Sequence, residues 1–198
     1  YCHNRDTWDI NGGEYKSVDE IVEKINRYKN YIIPSGGGVT VTGGEPLIQA
    51  SFVLELFKKL KENGIHTCVD TSGMFALTDG IKEDLVLLDI KHIDDEKCKE
   101  LVGVSNKKEL EFARYLSDNN IKMWIRQVLV PGYTDDGQDL LKLKNFLSTL
   151  KTVEKIQILP YHNMGKYKWE KLGLEYPLEG VREANQEDVD IAKKILGI

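Results

Sequence analysis

Four short stretches carry the side chains that do chemistry, and each follows a run of strand-forming residues. Thr42-Gly43-Gly44-Glu45 follows Val39-Thr40-Val41, and Asp70-Thr71-Ser72-Gly73 follows His66-Thr67-Cys68-Val69. Asp89-Ile90-Lys91-His92 follows Leu85-Val86-Leu87-Leu88, and Tyr161-His162-Asn163 follows Ile156-Gln157-Ile158-Leu159 and Pro160. In parallel α/β architectures ligands bind at the carboxyl ends of the strands, where successive loops converge. Glu45, Asp70, Asp89, Lys91 and His162 could thus line one cavity, with Gly43 and Gly44 as a floor that lets a ligand approach the backbone closely.

Each residue also has a plainer reading. Gly-Gly after a strand is a common tight turn, Asp70 and Asp89 suit N-caps or turns, Lys91 suits a solvated face, and a lone loop histidine such as His162 is ordinary. Cys68 reads as a small buried hydrophobe, and Cys98, among charged neighbours, as a helix-surface residue. Cys2-His3 lacks the second pair of a zinc spacing, and neither H-E-x-x-H nor H-x-x-E-H occurs. The nucleophile elbow G-x-S-x-G, the dinucleotide fingerprint G-x-G-x-x-G and the Walker A loop are missing as well.

The elements that must position these groups follow from periodicity. Ser17-Val18-Asp19-Glu20 has the capping-box form and opens a helix over about 18–30. A strand at 39–42 leads to a helix marked by Val53, Leu56, Phe57 and Leu60 and stopped at Asn63-Gly64. Strands at 66–69 and 85–88 come next, then a helix carrying Leu110, Ala113 and Leu116, and a strand over 123–130 stopped by Pro131-Gly132. A helix with Leu140, Leu143, Leu147 and Leu150, a strand over 156–159 and a helix over about 186–196 complete the chain. Strand followed by helix, five times over, predicts a parallel sheet with helical crossovers. Doubly wound sheet and (β/α) barrel both satisfy that rhythm, and the lack of a nucleotide fingerprint favours the barrel.

With 198 residues, 41% of them hydrophobic and 30% charged, the chain can bury one substantial core as a single domain. A net charge of -5 without a Lys/Arg block argues against nucleic acid or an anionic membrane as the main partner. No apolar run approaches the roughly 20 residues that span a bilayer. Three widely spaced cysteines, at 2, 68 and 98, suit a reducing compartment, and the chain reads as cytoplasmic. It opens on Tyr1 without an initiator Met or a signal-like segment, which reads as a start within a longer protein.

Several blocks in the same order, Tyr1-Cys2-His3-Asn4-Arg5-Asp6-Thr7-Trp8, Ser35-Gly36-Gly37-Gly38-Val39-Thr40, Gly64-Ile65-His66-Thr67-Cys68, Leu101-Val102-Gly103-Val104-Ser105-Asn106, Trp124-Ile125-Arg126 and Leu159-Pro160-Tyr161-His162, resemble the pyruvate formate-lyase activating enzymes of the radical S-adenosylmethionine superfamily. The resemblance spans essentially the whole chain. It implies one radical SAM core domain over 1–198, a partial (β/α)6 TIM-like barrel with parallel strands whose first strand is missing from this chain. The family's C-x-x-x-C-x-x-C holds a 4Fe-4S cluster, and only its last cysteine, Cys2, occurs here. Because such clusters need three or four thiolates, the expectation is that the chain as it stands is inactive.

The resemblance further implies a set of cofactor contacts. Gly43, Gly44 and Glu45 match the element that receives the methionyl amine of S-adenosylmethionine, and Lys91 and His162 match residues that meet its carboxylate. Asp89 and Ile90 line the same site, Tyr1 and His3 sit beside cluster and adenine, and Arg126 faces cofactor or protein substrate. Asp70, Thr71, Leu87 and Asp89 match a monovalent-cation site, Leu87 through its carbonyl. The implied reaction is reductive cleavage of S-adenosylmethionine to a 5'-deoxyadenosyl radical that takes hydrogen from a glycine of pyruvate formate-lyase. Reduced flavodoxin or ferredoxin supplies the electron, and the enzyme is a monomer. The absence of a ferredoxin-like insertion favours this short type over other glycyl-radical activases. A metal-dependent barrel hydrolase using Asp70, Asp89, Lys91 and His162, and a degenerate non-catalytic barrel, are the alternative classes.

Overall fold

The computed structural model describes residues 1–9, 11–75 and 84–198. Five strands, β1 (Gly38–Val41), β2 (His66–Thr71), β3 (Leu85–Asp89), β4 (Met123–Leu129) and β5 (Val153–Pro160), form one sheet in the order β1-β2-β3-β4-β5. Every neighbouring pair is parallel. A doubly wound sheet reverses its strand order part-way, whereas sequential order with right-handed crossovers keeps the helices on one face. The sheet is therefore a barrel segment, as the sequence predicts.

Eight helices accompany it among the described residues: α1 (Val18–Asn26), α2 (Lys29–Ile32), α3 (Ala50–Glu62), α4 (Asp95–Val102), α5 (Lys107–Asp118), α6 (Gly137–Leu147), α7 (Lys166–Lys171) and α8 (Gln186–Leu196). The predicted capping box is formed: the Ser17 hydroxyl accepts from Glu20 N–H, and Glu20 accepts from Ser17 N–H at 2.7 Å. The helix expected to run to residue 30 instead stops at Asn26. Tyr28 N–H bonds the Ile25 carbonyl at 2.8 Å, a tight i→i−3 closure that ends the α-helical ladder before α2 begins. α4 shows no apolar period because six of its eight residues are DEKCKE, although Asp94 caps Glu96 and Lys97 N–H groups and Gly103 closes its end in the left-handed region.

The core lies between the sheet's helix-facing side and α1, α3, α5, α6 and α8. Leu60, Ala113, Leu116 and Leu143 are fully buried against Val86, Leu88, Met123 and Ile125. On β4 burial alternates strictly, so Ile125 and Gln127 face the helices and Trp124, Arg126 and Val128 the opposite, concave side. A second apolar cluster, around Leu101, Val130, Tyr161, Trp169, Tyr176 and Leu178, forms at the carboxyl edge with Tyr1 packed onto it. Cys98, expected on a helix surface, is completely buried on α4, and burial pushes its thiol up to about 12. Cys68 is buried as expected, and all three cysteines are free. No helix is long and apolar enough to cross a membrane among the described residues.

Candidate functional site

Strand register assembles a chain of charges on the concave face. Asp70 stands opposite Leu87, and Asp89 opposite Arg126. Because alternate residues share a face, these side chains meet across three strands. Arg126 Nε donates to Asp89 Oδ1 at 2.7 Å and Nη1 to Asp70 Oδ2 at 3.0 Å, while Nη2 reaches Asp70 Oδ1. Lys91 Nζ takes the remaining oxygen of Asp89 at 2.7 Å, and the Thr42 hydroxyl donates to Asp70 Oδ2 at 3.2 Å. Asp70 and Asp89 thus cap no helix, and Lys91 is an ion-paired residue rather than a solvated one.

Burial alone disfavours the Asp89, Lys91 and Arg126 charges, and the partners win. Asp89 is raised by desolvation, but Lys91 and Arg126 together hold it below its usual range. Burial likewise presses Lys91 down, yet Asp89 and neighbouring Tyr1 and Glu109 raise it, so the ammonium stays protonated. Ile90, between them, is fully buried in the core and anchors the loop.

Glu45 occupies a different niche. Its Oε1 accepts from Leu47 N–H at 3.1 Å and the Thr71 hydroxyl at 2.6 Å, and its Oε2 from Ser72 N–H at 2.9 Å and the Ser72 hydroxyl at 2.6 Å. Both oxygens are filled by two donors each, the capacity of a carboxylate. Glu45 therefore caps the turn Pro46–Gln49 and staples the β1 loop to the end of β2. Beside it, Gly43 has φ of +140° with open space above its Cα, a conformation that side chains rarely adopt. Gly44 rests against the Thr7 carbonyl, 3.2 Å from where a Cβ would stand.

The N-terminal segment forms the third part. His3 Nε2 lies 2.9 Å from the His162 carbonyl oxygen, and the two imidazoles sit 4.1 Å apart between centroids. Burial, reinforced by His3, lowers the His162 pKa, so its imidazole is neutral at pH 7. Trp169 on α7 donates to the Cys2 carbonyl at 2.9 Å, and Cys2 Sγ accepts from Asn4 N–H at 3.3 Å. Gly165 gives this segment its clearance: a Cβ there would stand 2.7 Å from His3 Cα. Gly165→Ala is expected to displace residues 2–4 and change the fluorescence of Trp169; an emission spectrum identical to the parent's would show that the contact is not binding.

The structure thus groups Asp70, Leu87, Asp89, Lys91 and Arg126 on one face, Gly43, Gly44, Glu45 and Thr71 at its upper edge, and Tyr1, Cys2, His3 and His162 together. Tyr1 links the groups through its electrostatic contact with Lys91. Among the described residues its buried hydroxyl has no hydrogen-bond partner, nor has His162 Nδ1. Sequence reasoning missed Thr42, Ser72, Gly165, Trp169 and Glu109. Thr42 and Ser72 were legible as strand-end polar residues, but Glu109 looks like one more charge on a surface helix.

A barrel-type α/β sheet with convergent charges and orphaned polar atoms at its carboxyl edge defines a small-ligand enzyme fold. The family model described as the radical SAM superfamily matches residues 1–143. The pyruvate formate-lyase 1-activating enzyme of Escherichia coli K12 is 46% identical over 202 aligned residues, covering 99% of this chain and 82% of that protein. The pyruvate formate-lyase-activating enzyme of Staphylococcus epidermidis is 51% identical over 200, covering 96% and 80%. A solved domain of the Bacteroides vulgatus pyruvate-formate lyase-activating enzyme superposes with a TM-score of 0.67 at 26% identity, over 81% of this chain and 93% of that one. The chain belongs to the radical SAM superfamily and, within it, to the pyruvate formate-lyase activating enzymes.

Membership implies S-adenosylmethionine and a 4Fe-4S cluster. The open cradle at Gly43, the Lys91 ammonium and the unpartnered atoms of Tyr1 and His162 fit the polar head group of S-adenosylmethionine. The cluster's donor set is not met by residues 1–198. Cys2 supplies one thiolate, Cys68 and Cys98 are buried in β2 and α4, and no three His, Cys, Asp or Glu side chains converge among the described residues.

Proposed function

We propose that this chain forms the S-adenosylmethionine-binding barrel of an activase that installs the glycyl radical on pyruvate formate-lyase. The supporting observation is identity of 46–51% maintained over 96–99% of the chain with proteins of that name. The cluster would supply the electron and S-adenosylmethionine the radical when both are bound; the protein binds, orients and excludes water. In this reading the backbone at Gly43–Gly44 meets the methionyl amine, and Glu45 shapes that turn from behind. Lys91 meets the carboxylate as a charge-assisted donor, and His162 as a neutral one. Tyr1, Cys2 and His3 face the cluster side, while Asp89, Ile90 and Arg126 line the pocket wall. A monovalent cation at Asp70, Thr71, Leu87 and Asp89 would share both carboxylates with Arg126. A reduced flavodoxin or ferredoxin as donor, action as a monomer and a cytoplasmic setting belong to the same reading, and the free thiols suit a reducing compartment.

The test is ligand binding in a chain carrying all three cluster thiolates and reconstituted with iron and sulfide. Lys91→Ala and His162→Ala should each weaken S-adenosylmethionine binding by about tenfold, roughly one charge-assisted hydrogen bond, with cluster absorption unchanged. Parent-like binding in both variants removes them from the site. A glycyl-radical resonance on pyruvate formate-lyase tests the activity itself, and its absence with an intact cluster and bound S-adenosylmethionine overturns the partner assignment.

A further inference from the structure

Glu109 lies in the first turn of α5 and is 1% exposed. A carboxyl in such a place is costly unless it does something there. Its Oε1 accepts from the backbone N–H of Lys91 at 3.2 Å, reaching from the helix layer to the loop that leaves β3. The groups facing it are Lys91 and Asp89 at the end of β3, Cys98 on α4 and Tyr1.

Two further contacts make this turn of α5 a fixed reference for that loop. Asn106, just before the helix, donates from Nδ2 to the carbonyls of His92 at 2.9 Å and Ile93 at 2.8 Å. On the other side Gly73, leaving β2, packs so closely that an added Cβ would stand 3.3 Å from Glu109 Cα and 3.0 Å from Phe112 Cδ1. The loop from residue 91 to 93 is therefore held at three successive residues from one helix start, which is itself wedged against β2.

We propose that Glu109 is a positioning residue for S-adenosylmethionine binding. By holding the Lys91 N–H it fixes the loop so that the Lys91 ammonium is presented to the ligand carboxylate. The inference rests on Lys91 being the carboxylate-binding group. Burial pushes the Glu109 carboxyl up to about 8, so at neutral pH it serves as an uncharged acceptor. Asp89 then remains the ion-pair partner of the ammonium, and a ligand carboxylate meets no second buried anion.

The test compares Glu109→Gln, Glu109→Leu and Glu109→Ala in the reconstituted full chain, reading the S-adenosylmethionine dissociation constant and the thermal midpoint. Gln keeps a neutral acceptor for Lys91 N–H and should bind within about twofold of the parent. Leu and Ala remove the acceptor and should bind about tenfold more weakly, a loss of roughly 1.4 kcal/mol. Leu should do so with a smaller fall in thermal midpoint than Ala, because its side chain fills the space although Lys91 N–H loses its acceptor in both. Ala makes the same deletion without added bulk, so agreement between the two assigns the loss to the missing acceptor. In a Lys91→Ala background the Glu109→Leu change should alter affinity less than twofold.

Parent-like binding by Leu and Ala, a Gln variant as weak as Leu, or a full additional loss in the Lys91→Ala background overturns the proposal. Should Lys91→Ala alone leave binding unchanged, the assignment of Lys91 fails, which is a separate result from failure of Glu109 to act through it.

Discussion

Arg126→Leu is expected to destabilise the fold by about 3 kcal/mol, a fall in thermal midpoint of roughly 6–12 °C for a chain of this size. The guanidinium is 18% exposed and its partners Asp70 and Asp89 are 20% and 21% exposed, so water replaces it poorly. Removing it leaves, among the described residues, Asp70 with only the Thr42 hydroxyl and Asp89 with only Lys91. The pH dependence fixes the sign. Desolvation raises Asp89, Lys91 and Arg126 lower it further, and the net folded pKa lies below the ordinary 3.8. Stability from that pair is present above about pH 4 and lost as pH falls through the depressed value. The gap between parent and variant should therefore narrow on acidification below pH 4. A variant melting with the parent at pH 7, or a gap that widens in acid, contradicts the network.

The second large effect is expected at Glu45. A carboxylate has only acceptors, and here all its capacity meets donors, two of them backbone N–H groups that cannot rotate away. In Glu45→Gln one oxygen becomes an NH2, which must then face either Leu47 N–H or Ser72 N–H. One backbone donor loses its partner in either orientation, at a cost of about 2–4 kcal/mol including the weakened charged hydrogen bonds. The nominally conservative change should lower the thermal midpoint in the absence of ligand. If Glu45 acted only by touching the methionyl amine, the ligand-free melt would be unchanged and binding alone would suffer. Calorimetry of the ligand-free variant separates the two.

The strands were legible because each is an apolar run closed by a turn signal, and the site's location followed from the rule that ligands gather where such strands end. What was not legible depends on pairing between strands. Arg126 reads as one charge within β4 until the register sets it opposite Asp89 and two strands from Asp70. Glu45 carries the same residue type whether it faces a ligand or its own chain; only the positions of Leu47, Thr71 and Ser72 decide. Glu109 and Cys98 both lie in charge-dense helices whose composition suggests a solvated face, and in both the tertiary packing overrode that suggestion. α7 is too short for periodicity to register, so Trp169, which holds the Cys2 carbonyl, had no signal beyond its own residue type.

Asp70 and Asp89 carry two negative charges, Arg126 and Lys91 two positive ones, and the group sums to zero. A neutral cluster attracts ions weakly at long range, so it does little to steer a charged molecule toward the barrel. At contact it behaves differently. In the proposed reading a ligand carboxylate would meet the Lys91 ammonium, a charge already desolvated and aligned by Asp89, while the ligand amine would meet the uncharged backbone at Gly43–Gly44. Docking at that ammonium would then exchange one carboxylate partner for another, so the protein's own charge has given up its water before the ligand arrives.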